Sequence, residues 1–300
     1  MSEHRRGILA GLAAYLMWGL FPLYWPLLER AGAFEILAHR LIWSAVLMTA
    51  LVLATGRRRQ FAALLRTPRK VGLLAAATLA VSVNWGLYIW AVNAGYVVET
   101  SLGYFINPLI SVALGVVVLR ERLRRLQWTA IAIGAVAVVV LTLTYGRPPW
   151  IALTLACSFG TYGLIKKLAG VPAVEALALE TAIATPLALV YVVALVVRGE
   201  SHFATGHLAV FFVLAGVVTA LPLLCFGEAA NRIPLSLLGL MQYLAPVLQF
   251  ALGVLYFHED MPAGRWAGFV LVWVALMLFT ADGLRQRRAR PLSGLVTESF

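Results

Sequence analysis

PLISVALGVVVLRE at residues 108–121 and PVLQFALGVLYFHE at residues 246–259 decide how this chain is read. Pro108, Gly115 and Glu121 recur as Pro246, Gly253 and Glu259 with identical spacing, at an offset of 138 in a chain of 300 residues. The same offset carries Asn93 onto Asn231, and a neighbouring offset of 140 carries Glu35 onto Glu175. Self-similarity at one long offset marks a duplicated unit. Both segments lie in apolar runs of helical length, so the unit is built from helices that need an apolar surrounding.

Composition identifies that surrounding. The chain is 62% hydrophobic and only 12% charged, with a mean hydropathy of +0.88, whereas a soluble domain carries about 25% charged residues. Its solvent is lipid. A helix of about 20 apolar residues crosses the hydrocarbon, and the cost of unpaired backbone groups in lipid leaves only helices or closed barrels. Ten helical runs are expected, at 7 to 28, 34 to 54, 71 to 93, 98 to 119, 127 to 144, 150 to 165, 174 to 197, 208 to 229, 235 to 257 and 265 to 281. The first follows Arg5 and Arg6 in the manner of a signal peptide. Its length, its Trp18, Pro22 and Trp25, and the lack of a small-residue cleavage site make it a span instead.

The net charge of +11 would suggest nucleic acid in a soluble protein, but here the basic residues cluster in short loops between apolar runs, which reads as topology. With the N-terminus cytoplasmic, nineteen of the 24 Lys and Arg fall on the cytoplasmic side. Arg30, Arg147, Arg198 and Arg265 fall outside, and Arg40 lies within a span. This count expects both termini in the cytoplasm. Five helices per unit is an odd number, so the second unit enters from the opposite face. The expected fold is therefore an all-α integral membrane protein of ten transmembrane helices in two inverted five-helix repeats. Residues 1–146 form the first, and residues 147–300 the second, with a basic tail from about 282. Inverted repeats are the architecture of secondary transporters, with the substrate site near the midplane between them.

Polar residues point to the same region. On the fourth span Ser101, Tyr104, Asn107, Ser111 and Gly115 share a sector of about 120° at helical spacing. On the ninth, Gly239, Gln242, Tyr243, Pro246, Gln249 and Gly253 do the same, and each of the two spans has a proline near its middle. Lining of a cavity and helix packing by small and amide residues both explain such stripes. The third span places Asn84, Trp85 and Tyr88 together at mid-membrane, suited to a flat amphipathic or aromatic molecule or to ordinary packing, while Trp18, Trp128, Trp150 and Trp266 near span ends fit an interfacial belt.

Charges inside spans are costly and usually face a cavity or a partner. Arg40 and Glu180 correspond at the 140 offset with opposite sign, and are expected to gate or couple: Glu180 by holding a coupling proton or else as a structural ion or hydrogen-bond partner, Arg40 by holding an anionic group or a gate bridge. A direct Arg40–Glu180 pair does not follow, since Arg40 is nearer the outside and Glu180 nearer the inside. Glu228, Glu99 and Glu175 at span edges are expected to be solvated or capping, and His258, Glu259 and Asp260 a solvated loop cluster. Cys157 and Cys225 lie inside apolar runs with no metal or disulfide spacing. No GxxxxGK[ST], HExxH or GxSxG motif occurs, and no loop has room for a nucleotide-hydrolysing domain, so neither an ATP-driven pump nor an enzyme is expected, and no cofactor or metal.

The segments EILAHRLIWS (35–44), NWGLYIWAVN (84–93), ETSLGYFINPL (99–109), RERLRRLQW (120–128), YGLIKK (162–167), PLLCF (222–226) and LSLLGLMQYLAP (235–246) resemble the drug/metabolite transporter superfamily, with two EamA-type halves, and within it the RarD branch. The resemblance extends over nearly the whole chain. It implies a secondary carrier of the bacterial inner membrane, a permease or exporter in a superfamily whose members move amino acids, nucleotide precursors, sugars, polyamines and drugs. It also implies that Glu121 and Glu259 are structural ion-pair residues and not ligands. The expected function is alternating-access transport of a small organic solute, with protons as a possible coupling ion. The substrate site is drawn from Asn84, Trp85, Tyr88, Tyr104, Asn107, Gln242 and Tyr243. The alternative is a non-transporting structural or regulatory partner embedded in the membrane. Substrate, direction of transport and oligomeric state are not fixed by the sequence.

Overall fold

The computed structural model describes residues 3–289, apart from 121, 122, 124, 205, 231 and 234–240, and the side chains of 119, 227, 230 and 283–289. Glu121, Asn231 and Gly239, and the tail beyond 289, lie outside the described residues. Among the described residues there is no strand. The helices are α1 (Glu3–Gly19), α2 (Phe21–Tyr24, running on into a 3-10 turn at Trp25–Leu28), α3 (Ala33–Ala54), α4 (Arg58–Leu65), α5 (Pro68–Asn93), α6 (Val97–Leu119), α7 (Arg125–Tyr145), α8 (Trp150–Ala169), α9 (Ala173–Arg198), α10 (Leu208–Ala230), α11 (Leu244–Ala251) and α12 (Ala263–Ala289).

Seven of them, α3, α5, α6, α7, α9, α10 and α12, are each long and apolar enough to cross a bilayer. The bent pair of α1 with Phe21–Leu28, which turn through 46°, passes the same test when the two are taken together and makes an eighth if it is one broken span and not a re-entrant loop. The bend follows from the chain: Pro22 stands at the start of α2 and Pro26 at the start of the 3-10 turn, each removing a backbone donor. The protein is thus a multi-pass, all-helical membrane protein. α8 spans 20 residues but ends on Lys166 and Lys167, and α11 continues through a π-helical turn at Leu252–Tyr256 to make a shorter apolar rod, Leu244–Tyr256. Pro108 lies inside α6 as expected. Pro246 instead falls in the first turn of α11, where its missing donor costs little.

Helices α1–α7 pack against helices α8–α12 far more than among themselves. α5 and α6 lie on α8, α1 lies on α10 and α11, α3 on α9 and α10, α5 on α9, α6 on α11, and α7 on α12. Exchanging α1, α3, α5, α6 and α7 for α8, α9, α10, α11 and α12 maps this set of pairs onto itself. Water expulsion does not drive helices together in lipid, so close van der Waals approach must, and small residues allow it. Gly216 on α10 sits so close to α3 that an added Cβ would lie 2.6 Å from the backbone carbon of Trp43. Gly103 on α6 stands likewise against the backbone of Ala152 on α8, 2.9 Å from its carbonyl oxygen.

Gly216→Ala should therefore force α3 and α10 apart and destabilise the fold by about 1–3 kcal/mol. Gly163→Ala, where a Cβ meets nothing within 4 Å, should leave the melting temperature in detergent unchanged.

Candidate functional site

A polar seam runs through the interior where α3, α5, α6, α8 and α10 meet. Asn84, fully buried on α5, donates from Nδ2 to the Leu155 carbonyl (2.9 Å) and to Ser158 Oγ (3.0 Å) on α8. Tyr104 on α6 donates from its hydroxyl to Asn84 Oδ1 at 3.2 Å, and its ring meets Tyr88 edge-on at 5.6 Å and Phe159 at 6.0 Å. Asn84, Tyr88 and Tyr104 thus form one group, as the sequence expected, but the cross-helix anchor Ser158 was missed: one serine in an apolar run gives no periodic signal. Asn107 lies one turn further along α6. Its buried Oδ1 has no partner and stands 3.6 Å from where a Cβ on Gly160 would be.

Arg40 is the charged member of the seam. Two turns into α3 and 3% exposed, it donates from Nε to Thr219 Oγ1 on α10 at 2.7 Å, while that hydroxyl donates to the Ala215 carbonyl at 2.7 Å. The face of its guanidinium lies 3.9 Å from the Trp85 ring centroid, with Trp25 at 5.1 Å and Phe21 at 5.8 Å. Tyr24, Tyr88 and Tyr104 are all within its electrostatic reach. Among the described residues no carboxylate pairs with it, and neither Nη has a hydrogen-bond partner. The nearest of these contacts, with Trp85, is worth about 2 kcal/mol when desolvated and the charged hydrogen bond to Thr219 about 1.5–3 kcal/mol, together comparable with the penalty of several kcal/mol for a buried ion.

Glu180 occupies a separate cluster nearer the basic end of the bundle. Lys166 Nζ on α8 approaches its Oε1 at 2.6 Å and Tyr162 donates from its hydroxyl to Oε2 at 3.1 Å. Glu180 is 3% exposed, and the Lys166 side chain, 23% exposed, leads from it toward solvent. Arg40 and Glu180 are not paired. Lys166 had been read only as a topological charge, although it precedes Glu180 by 14 positions across a helical hairpin.

Gln242 and Tyr243 do not join this group. They stand at the start of α11, and Tyr243 makes its side-chain hydrogen bond with Thr280 on α12. The buried amide of that helix is Gln249, whose Nε2 donates to the Trp18 carbonyl at 3.0 Å. Trp18 in turn packs on Tyr15 and Phe226 inside the bundle, unlike the exposed Trp128, Trp150 and Trp266, because the bend after α1 brings its end under α10.

Of the carboxylates at span edges, Glu99 caps a helix start and Glu228 is solvated, as expected, but Glu99 and Glu175 are also enclosed and ion-paired. Glu99 is 2% exposed, bound by Arg147 at 2.9 Å, and accepts from the Ile151 backbone N–H at the start of α8. Glu175 is 3% exposed and bound by Arg57 at 2.9 Å. Glu35 accepts from the His202 backbone N–H and from Ser201, with His202 Nδ1 at 2.9 Å. Only Glu228 is solvated, in an exposed pair with Arg232. Each buried carboxylate lies beside a helix start or a loop that returns over it, so one helical turn of displacement from the apolar run suffices to enclose it.

At the end of the bundle away from the basic loops, a cavity of about 270 Å³ is lined by Tyr96, Glu99, Tyr145, Arg147, His258, Glu259 and Arg265, among others. Glu259 is no solvated loop residue. Both its oxygens accept from the Val98 N–H, at 3.1 and 3.2 Å, so a loop after α11 caps the N-terminus of α6. Gly253 makes this possible, since a Cβ there would sit 3.0 Å from Val98 N. Burial pushes the Glu259 carboxyl up to about 7, opposed by the Val98 and Val97 N–H groups and Arg265 and aided by Glu99.

The chain belongs to a class of multi-pass helical membrane transporters. The EamA-like transporter family matches it twice, over residues 5–143 and 148–281, and the chain is a member of that family. It is 58% identical over 290 residues to Protein RarD of Streptomyces exfoliatus, covering 96% of this chain and 92% of that one. It is 42% identical to the uncharacterized transporter YojE of Bacillus subtilis (96% and 98% covered) and 29% identical to the chloramphenicol-sensitive protein RarD of Pseudomonas aeruginosa (97% and 98%). A solved crystal structure shares the fold with a TM-score of 0.60 at 20% identity, over 92% of this chain and 97% of its own. These relatives place it in the RarD branch, as a membrane transporter and not an enzyme.

Because the folded-state value of Glu259 lies above its ordinary one, the neutral carboxyl favours the capped arrangement. That stability is fully present below about 4.5 and is lost as pH rises through about 7. Protection of the Val97 and Val98 amides, measured against their intrinsic exchange rates, should fall over this window, and Glu259→Gln should make that protection independent of pH.

Proposed function

We propose that this protein is a secondary carrier that moves a small organic solute by alternating access, with ten spans in two inverted five-helix repeats, residues 1–146 and 147–300. Counting α8 and α11 as crossings beside the other eight gives the ten, and the exchange symmetry of the helix pairs supports the repeat. The excess of Lys and Arg in alternate loops supports both termini in the cytoplasm, and the bacterial relatives support the inner membrane as its place. The observation that carries the reading is the polar seam: Asn84 is bonded from α5 to α8, and Arg40 from α3 to α10, each across the contact between the first five spans and the last five. A site there is exposed alternately as the two sets rock against each other.

Asn84, Trp85, Tyr88, Tyr104 and Asn107 line the solute on one side. Gln242 and Tyr243 reach it from the other only when α11 moves relative to α12, since Tyr243 is held by Thr280 in the present arrangement. Glu180 is the coupling carboxylate: Lys166 and Tyr162 hold it, and Lys166 leads toward the basic side where a proton can leave or arrive. No nucleic acid takes part, and the basic loops act on membrane orientation.

The test is uptake into proteoliposomes of radiolabelled aromatic amino acids and chloramphenicol, with and without an imposed pH gradient. Saturable uptake accelerated by the gradient is expected. Glu180→Gln should abolish the gradient's effect, and transport with unchanged pH dependence in that variant would remove its coupling role. Tyr104→Ala should raise KM about tenfold through its lost hydrogen bond and ring contact, with little change in folded yield.

A further inference from the structure

Among the described residues, four buried glutamates have basic partners while the buried Arg40 has no acidic one. Glu35, Glu99, Glu175 and Glu180, each 2–3% exposed, all have a basic partner: His202, Arg147, Arg57 and Lys166. Arg40 is equally buried and has no carboxylate among the described residues. Its Nε is held by Thr219 and one face is covered by Trp85, which leaves the edge formed by Nη1 and Nη2 without acceptors. Tyr88, also buried and electrostatically coupled to Arg40, has a hydroxyl with no hydrogen-bond partner. An incomplete set of donors thus surrounds one place in the seam: a planar pair of guanidinium N–H groups and a phenolic O–H.

From this we infer that the solute carries a carboxylate, which docks on the Nη1–Nη2 edge of Arg40 and accepts from the Tyr88 hydroxyl. The inference rests on the carrier reading above and names its substrate class. Two parallel N–H donors match the two oxygens of a carboxylate, a geometry that a hydroxyl, an amide or an ammonium cannot supply. The charge argument points the same way. A carboxylate neutralises the buried guanidinium as it enters, whereas a neutral solute leaves that charge uncompensated and a cationic one adds a second. Sugars and polyamines are therefore excluded as main substrates, and organic acids and amino acids are selected. Thr219 orients the guanidinium and Trp85 holds its plane, so the free edge is fixed before the solute arrives. Because Arg40 is supplied by the first five spans and Thr219 by the last five, rocking of the two sets moves the anchor relative to its support, and solute binding and conformational change act on the same bond.

Matched acid and amide probes test this on the full-length protein in lipid nanodiscs. Phenylalanine against phenylalaninamide, and phenylacetate against phenylacetamide, are titrated by tryptophan fluorescence and by thermal shift. The acids are expected to bind at least tenfold more tightly than the amides. Arg40→Lys, which keeps the charge and loses the paired edge, should weaken the acids at least tenfold. Should that variant fold poorly, Tyr88→Phe removes only a hydroxyl that has no partner in the unliganded protein. It should leave the unliganded melting temperature unchanged and weaken the acids about tenfold. Equal binding of acid and amide, no binding of either acid, or parental affinity in Tyr88→Phe would overturn the inference. Saturable transport of amines or sugars that acids do not inhibit would overturn it and leave the carrier reading intact. Failure of folded protein to move any solute would remove both.

Discussion

Lipid offers no hydrogen bonds, and that absence governs the whole molecule. Every backbone group in the hydrocarbon must be satisfied within its own helix, and each polar side chain must find a partner on a neighbouring one. The buried carboxylates obey this rule by reaching between elements: Glu99 ties α6 to the start of α8, Glu175 ties α9 to the loop after α3, and Glu180 ties α9 to α8. These bonds add to the close helix packing in fixing which helix lies beside which. A leucine would be as content against lipid as against another helix, whereas a carboxylate would not.

The rule also explains an asymmetry within the repeated pattern. Glu35 and Glu175 stand at corresponding positions, two residues into α3 and α9, and each is covered by a returning loop. One loop supplies His202 and Ser201, the other Arg57. In the inverted arrangement proposed above these loops fall on opposite faces of the membrane, where positive charge is retained on one side only. The geometry is shared and the chemistry follows the compartment. Glu259, which caps α6 from the second set of helices, adds a further bond between the two sets at the end away from the basic loops.

Much of the candidate site was legible in advance. The third-span Asn84 and Tyr88 and the fourth-span Tyr104 do come together, since helical spacing groups each set on one face and the packing of α5 beside α6 turns those faces toward each other. Tyr243 satisfied the same spacing yet bonds to Thr280 on α12, for periodicity defines a face but not the neighbour it meets. Ser158 and Thr219 escaped notice for a related reason. A single hydroxyl in an apolar run can bond its own helix backbone at no cost, as Ser158 does to Thr154 at 2.6 Å, so nothing in the run distinguishes a silent hydroxyl from an anchor. Glu99 and Glu175 were expected at the water boundary, where distance along the chain put them; the loops that fold back over them could not be read from that distance.

By itself the sequence determined the solvent, the helices and the duplication. Each depends on local or periodic properties: apolar run length against bilayer thickness, spacing at 3.6 residues per turn, and a repeated Pro, Gly and Glu. Only the tertiary structure decided which polar groups meet. The separation of Arg40 from Glu180, the attachment of one to Thr219 and of the other to Lys166, and the unfilled edge of the Arg40 guanidinium are set by how helices far apart in the chain cross. The physical reason is range. Helix formation and membrane insertion are decided within about twenty residues, whereas a hydrogen bond such as Arg40 to Thr219 joins residues 179 apart and exists only once the helices between them are in place.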